Sequence, residues 1–359
     1  MFKLSRRQIL KSAASAAAIG GYMSLRGISR ALAKETISAI GWGGVIIKGL
    51  NAITPDAPVD VEWQTYSGAT ATFLTKLKAS WPDTGLDLIQ QWDPTFQTVA
   101  KEGWAEPVTV ERVPNLANVS PKLFIKDPAG NVVNVPTNLS AFSWASRDDI
   151  APFEITKLDD LLDKRLKGKV LVMPPTSGSN LGMLSMALYK GGDERNMEPG
   201  WDFMKRLASS GNIGRVALTD IDVTNSISSG ETCVCFTPYA NVNKLPSSMK
   251  IRFLVRSDRQ SGFLTFFYSE GWSILKNGKT GPAFEFANYM LSPEQNTKYC
   301  EIISGIPANS KATPPEAVKL FTYSPDEMDK YGYVPDWAYL TDHTDAWAKR
   351  WETEIQPLL

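Results

Sequence analysis

The chain has 359 residues, with 38 lysines and arginines against 38 aspartates and glutamates, so its formal net charge at pH 7 is zero. That balance offers no basic face for phosphates and argues against a nucleic-acid partner. One histidine and three cysteines cannot build the usual zinc, haem or iron–sulfur sites, so no metal or cofactor is expected.

In chain order, Ser5-Arg6-Arg7-Gln8-Ile9-Leu10-Lys11 comes first, followed by a small-residue apolar run, Ser12 to Leu25, and then Ala31-Leu32-Ala33. A charged start, an apolar middle and a small-x-small site in that order resemble a twin-arginine export signal cleaved near Ala33, which is a receptor-read address and not an anchor. The apolar run falls short of the roughly 20 residues a spanning helix needs. The first 33 residues hold six bases and no acid, which leaves 32 bases against 38 acids in a mildly acidic mature chain expected in the periplasm. The remaining 326 residues suit two lobes of ordinary size.

Strands then alternate with helical patterns, which predicts α/β architecture. Ile37–Ile40 reads as a strand ending in Gly41-Trp42-Gly43-Gly44, and Val59–Thr65 as one ending in Tyr66-Ser67-Gly68 before a helix with Phe73, Leu74 and Leu77 on one side. Leu86–Gln90 ends in Gln91-Trp92-Asp93-Pro94, and its helix stops at Gly103. A short strand, Val132–Val135, leads into Pro136-Thr137-Asn138. The pattern restarts with a helix over Lys157–Leu166 and a strand over Lys169–Met173 that ends in Thr176-Ser177-Gly178-Ser179. Further strands are expected at Gly214–Leu218, Thr232–Phe236 and about 262–275. Helices are expected at Pro282–Leu291, after the Ser292-Pro293-Glu294 cap, and through Trp347, Trp351 and Ile355, with His343 just ahead of this last one. Cys233, Cys235 and Cys300 read as buried thiols, with a bridge from Cys233 or Cys235 to Cys300 as the alternative.

In open α/β sheets ligands bind outside the carboxyl ends of strands. Here those ends mix aromatics, which form apolar walls and attract cations, with Ser and Gly at helix starts, which expose N–H groups to anions. Enzyme motifs fail. Asn277-Gly278-Lys279-Thr280 lacks the glycine five residues earlier that a phosphate-binding loop needs, and there is no Gly-x-Ser-x-Gly elbow or His-Glu-x-x-His helix. No catalytic residue is assigned.

Three segments occur together in order: LDLIQQWDPTFQTVAKEGWAEPV (86–108), LDDLLDKRLKGKVLV (158–172) and SEGWSILKNGKTGPAFEFANYML followed by SPEQNTKYCEIISGIPANSKA (269–312). In them the chain resembles the extracellular solute-binding proteins of ABC importers, in the polyamine-type branch. The resemblance implies the type II periplasmic binding protein fold, with two α/β lobes, a hinge and a ligand cleft between them. It implies lobe 1 from 34–143 plus about 262–305, and lobe 2 from 144–261 plus about 306–359. It also implies a monomer that captures a small solute and delivers it to a membrane permease. Carried over segment by segment, the ligand-facing residues are Trp42, Tyr66, Ser67, Gly68, Trp92, Asp93, Thr176, Ser177, Gly178, Ser179, Asp220, Asp222, Tyr239, Tyr268, Glu270 and Trp272. Aromatic walls with these acids favour an amine or amino-bearing solute. An organic or phosphonate anion on the Ser-Gly turns is the alternative ligand, and an exported cleft hydrolase the alternative class. Replacing Arg6 and Arg7 together by lysine is expected to hold the protein in the cytoplasm, as read by fractionation; undiminished export of that variant contradicts the twin-arginine reading.

Overall fold

The computed structural model describes residues 34–66, 70–178, 180–257 and 259–359, so the leader expected over residues 1–33 lies outside them. The strands are β1 (Thr36–Trp42), β2 (Asp60–Tyr66), β3 (Leu88–Trp92), β4 (Val135–Arg147), β5 (Val170–Val172), β6 (Ile213–Val216), β7 (Val234–Pro238), β8 (Ile251–Phe253), β9 (Thr265–Ile274), β10 (Ile306–Pro307) and β11 (Gly332–Tyr333). The helices are α1 (Val45–Ile53), α2 (Thr70–Ser80), α3 (Asp93–Glu102), α4 (Pro175–Gly178), α5 (Leu181–Tyr189), α6 (Glu198–Ser209), α7 (Asp220–Ser229), α8 (Thr280–Met290), α9 (Pro293–Ile303), α10 (Pro325–Tyr331) and α11 (Trp337–Glu354).

The strands join in the order β2-β1-β3-β9-β4-β7-β5-β6, with β8 and β10 on β4 and β11 on β9. Strands β1, β2 and β3 are parallel, as are β5, β6 and β7. The long antiparallel pair β4 and β9 joins these two sets. Its halves are used differently: β3 pairs with residues 270–274 of β9, and β7 pairs with residues 142–146 of β4. Because β3 is antiparallel to β9, β7 to β4, and β4 to β9, strands β3 and β7 run in opposite directions. The carboxyl ends of the two parallel sets therefore face one another across the crossing pair, which is where ligands bind in such sheets.

Each set has its own packed core. In the first lobe, Leu88, Trp272, Ile274, Phe286 and Tyr299 bury one face of the sheet and Ile89, Phe96, Val99 and Leu275 the other. In the second lobe, Trp144, Val170, Leu184, Trp201, Phe263, Trp347 and Trp351 form the larger core. Helix α11 belongs to that core but also reaches the first lobe, where Lys101 of α3 pairs with Asp342 and Trp92 meets Trp337 at 5.9 Å between ring centroids. Strand β10 pairs with β4, and Asn309 Nδ2 donates to Leu291 O at 2.7 Å, so the chain just past residue 305 still packs on the first lobe.

Several elements differ from the sequence expectations for physical reasons. The strand expected to stop at Val135 starts there and runs 13 residues, through Pro136 and on to Arg147. A proline is tolerated inside this central strand because the register shifts between Pro136 and Asn138, a bulge that spares the missing N–H. The helix expected over Lys157–Leu166 is two 3-10 turns, Leu158–Leu162 and Lys164–Leu166. The last helix has 18 residues, so His343 lies within it, its ring 4.0 Å from that of Tyr339. All three cysteines are buried free thiols.

Gly271 marks the closest approach of the crossing pair. A Cβ there would strike the carbonyl oxygen of Val135, which is backbone and cannot swing away. Gly271→Ala is expected to destabilise the fold by about 1–3 kcal/mol, the range for overpacking, measured by denaturant unfolding; an unchanged midpoint contradicts the close fit.

Candidate functional site

The strand ends carry two pairs of the expected aromatics, Trp42 with Tyr66 and Trp92 with Tyr268. Trp42, at the end of β1, is half-buried and its ring centroid lies 5.7 Å from that of Tyr66 at the end of β2. Tyr66 in turn stacks on Phe73 at 4.8 Å, and its hydroxyl donates to Gln90 O at 3.2 Å. Ser67 and Gly68 lie outside the described residues. Trp92, half-buried at the end of β3, meets Tyr268 of β9 edge-on at 5.5 Å.

The crossing strands supply the charge. Along β9, Tyr268 and Glu270 alternate with Phe267 and Ser269, so the two pairs face opposite sides of the sheet. Glu270 is partly exposed and stands directly across from Asn138 of β4, whose Nδ2 donates to Glu270 Oε2 at 2.9 Å. Burial pushes the Glu270 carboxyl up to about 7; the Asn138 and Tyr268 hydrogen bonds pull it down, while the carboxylates of Asp220 and Asp93 push it further up. Asp220 is exposed in the first turn of α7, in the second lobe. Its Oδ1 accepts from Asn241 Nδ2 at 2.7 Å.

Other expected site residues are committed elsewhere. Asp222 occupies the N3 position of α7 and accepts from the backbone N–H groups of Leu218 and Thr219, at 3.2 and 3.1 Å, and from Arg215 at 3.1 Å. The Thr219 hydroxyl bond holds its carboxyl below the ordinary aspartate value. It closes a capping box and fixes the helix start. Asp93 is only 5% exposed and accepts from Ser269 N at 2.7 Å and Ser269 Oγ at 2.6 Å. Its carboxyl is pushed up to about 6 by burial, against the pull of both Ser269 bonds. Trp272 is fully buried beside Trp63 and Phe286, at 5.8 and 6.0 Å, and is a core residue of the first lobe. Tyr239 is also fully buried; it stacks on Phe321 at 4.3 Å and its hydroxyl donates to Ser304 O. Neither side chain offers surface to a solute in this conformation. In the short α4, Thr176 is exposed and Ser177 Oγ donates to Leu218 O at 2.9 Å, tying this turn to the start of α7. Gly178 closes α4, and Ser179 lies outside the described residues.

Asn138, at one of the strand ends where the sequence places ligand contacts, and Asn241, which nothing local marks, are the donors that hold Glu270 and Asp220. On the Phe267–Ser269 side of the crossing strands lies a cavity of about 730 Å³, bordered by Leu139, Phe267, Ser269, Asp93, Gln97 and Trp337, with Tyr268 also in its lining. Its lining holds three acids, Asp93, Asp329 and Asp336, of which Asp93 already has both Ser269 donors.

The raised carboxyls have a consequence for stability. A buried acid whose pKa is higher folded than unfolded favours the native state most when protonated, and this contribution is lost as pH rises from the unfolded value through the folded one. For Glu270 that window runs from about 4.5 to about 7. Glu270→Gln is therefore expected to raise the melting temperature of the ligand-free protein relative to wild type at pH 8 and to lose that advantage at pH 4.5; a constant difference across this range contradicts the burial of a costly charge.

Residues 46–325 match the family model of bacterial extracellular solute-binding proteins. No curated protein matches the chain. Among solved structures, an ABC transporter from Clostridium perfringens ATCC 13124 is 21% identical with a TM-score of 0.71, covering 90% of this chain and 100% of that one. The spermidine/putrescine ABC transporter substrate-binding protein PotD from Streptococcus pneumoniae is 17% identical with a TM-score of 0.67, over 88% and 99% of the two chains. The binding protein AgtB from A. tumefaciens R10, in complex with agropinic acid, is 18% identical with a TM-score of 0.67, over 89% and 98%. At these identities the likeness is one of fold.

Proposed function

This chain belongs to the bacterial extracellular solute-binding proteins, the solute-binding components of ABC transporters, and from that premise we propose that its solute is a small molecule bearing a cationic amine, gripped between two lobes at Glu270 and passed to a membrane permease. The observation that carries the reading is that Glu270 and Asp220 have no salt-bridge partner among the described residues. Glu270 on β9 and Asp220 at the start of α7 are each held by a neutral asparagine donor, and the Asp220 carboxylate adds to the upward push on the Glu270 carboxyl. A cation between them would offset that push and replace the water lost on closure. The half-buried rings of Trp42, Tyr66 and Trp92 provide flat walls that also attract cations. Closure is a hinge motion about β4 and β9, with lobe boundaries near residues 143, 262 and 305. The protein works as an exported monomer.

The anion reading has less support. The helix start expected to hold an anion, α4, is four residues long, and its Ser177 hydroxyl is turned onto Leu218 O. The hydrolase reading predicts turnover, whereas a binding protein retains its solute unchanged.

Titration calorimetry with a panel of amines, aminophosphonates and aromatic acids tests the proposal. Amines are expected to bind, and binding is expected to weaken as pH falls from 8 to 6, because Glu270 takes up a proton near 7 and loses its attraction. At pH 7 the heat is expected to depend on the buffer, since an incoming cation expels that proton. Glu270→Gln is expected to weaken amine binding by about tenfold or more, the loss of a charge-assisted hydrogen bond, while Gln97→Trp in the opposite cavity leaves it unchanged. The reverse pattern would place the solute on the Phe267–Ser269 face.

A further inference from the structure

Resting on the reading of Glu270 as the solute's counter-charge, we infer that Thr137 is a positioning residue of the site: its hydroxyl holds the Asn138 amide with the N–H side toward Glu270, which keeps that carboxylate charged for an incoming cation. Neighbouring side chains on a regular strand point to opposite faces. Thr137 and Asn138 are neighbours, yet Thr137 Oγ1 lies 3.1 Å from Asn138 Oδ1. The bulge in β4 allows this. The register passes from Pro136 opposite Gly271 to Asn138 opposite Glu270, so Thr137 is the extra residue and has no ladder partner on β9. Bulges re-aim side chains in this way. Thr137 is also anchored through its backbone. Its carbonyl oxygen accepts from Asn296 Nδ2 at 2.7 Å and from Ala308 N at 3.1 Å, and Asn296 Oδ1 accepts from Asn309 N at 3.1 Å. Thr137, Asn138 and Asn296 are all buried, so these bonds are shielded from water.

A side-chain amide can meet a neighbour with its donor or with its acceptor. With its oxygen toward Glu270, Asn138 would set two acceptors against each other unless the carboxyl were protonated. In the structure that oxygen is taken by the Thr137 hydroxyl, and Asn138 Nδ2 donates to Glu270 Oε2 at 2.9 Å. The hydroxyl has one proton and two acceptors in reach, and the amide oxygen at 3.1 Å is nearer than Glu270 O at 3.3 Å. Removing the hydroxyl leaves a buried amide oxygen unpaired, which costs free energy. The amide recovers a partner by turning that oxygen onto a protonated Glu270. Thr137 therefore acts on the charge of Glu270 through Asn138, without touching the solute. Other titratable groups bear on the same carboxyl: Tyr268 on its own strand, Asp93, Tyr299 and Cys300 of the first lobe, and Asp220 and Tyr239 of the second. The Thr137 hydroxyl bonds to none of these side chains, so substitutions at Thr137 isolate the amide.

Carbon-13 NMR of the full-length mature protein labelled at its glutamate carboxyls, with the Glu270 signal assigned by its loss in Glu270→Gln, tests this without any solute. Thr137→Val is expected to raise the Glu270 midpoint from about 7 by about one unit, the roughly tenfold effect of a hydrogen bond to a charged group. Thr137→Ser keeps the hydroxyl and is expected to leave the midpoint unchanged. Thr137→Ala, which adds no bulk, is expected to match the valine variant and decides the matter should that one fail to fold. In calorimetry with putrescine, Thr137→Val is expected to bind about fivefold or more weaker than wild type at pH 6.5 and equally well at pH 9, where Glu270 is ionised in both. An unmoved midpoint in the hydroxyl-free variants, or a serine variant that behaves like them, overturns the inference. So does a loss of affinity that is equal at both pH values, the mark of a merely structural role. If the midpoint moves and no amine binds, the positioning of Asn138 by Thr137 stands and the amine reading falls.

Discussion

Everything in this molecule depends on one antiparallel ladder, the pairing of β4 with β9 from Val135 opposite Trp272 to Phe142 opposite Phe266. It ties the two parallel sets together, and its middle residues, Asn138 and Glu270, place a carboxylate where the sets face each other. Side chains alternate across a strand, so one choice of register decides both what lies behind the hinge and what lies in front of it. Phe267 and Ser269 go to one side, Tyr268 and Glu270 to the other. A slip of a single residue would exchange a charged floor for an apolar one.

The chemistry follows from how the fold distributes its acids. Identical functional groups acquire different tasks from local geometry. Asp222 is recruited by the unpaired N–H groups at the start of α7, a need that every helix has. Asp93 is drawn onto the free N–H of Ser269, on the edge of β9 just past the end of β3. Glu270 and Asp220 have neutral donors and each other, and this is an unfavourable arrangement without a solute. Under the proposed amine reading, a bound cation relieves that unfavourable arrangement, so the contact that recognises the solute also draws the lobes together.

Much of the architecture could be read in advance. The alternation of strand and helix, the restart near residue 157, the aromatic strand ends and the ordered segments at 86–108, 158–172 and 269–312 all pointed to two α/β lobes, and the family match spans residues 46–325 of the chain. The failures have local causes. Pro136 disguised the longest strand, because a bulge rather than a strand end accommodates it. Trp272 looked like a companion of Tyr268 and Glu270, but it sits at the point where β9 has left the cleft and entered the first-lobe core against Trp63 and Phe286. Tyr239 followed a strand end as a ligand-facing residue would, yet Phe321, 82 positions later, stacks on it. Long-range partners of this sort leave no local signature. The role of Asp222 was legible: Thr219 three residues earlier is the pattern of a capping box.

The central claim is that a solute's positive group sits between Glu270 and Asp220 with both lobes gripping it. A crystal structure of the protein with an amine that it binds tests this most directly. The account predicts a nitrogen at hydrogen-bonding distance, about 2.7–3.2 Å, from the Glu270 carboxylate, with Trp42 and Trp92 alongside. A solute lodged instead against Phe267 and Ser269, or one that presents a negative group to the cleft, would contradict it.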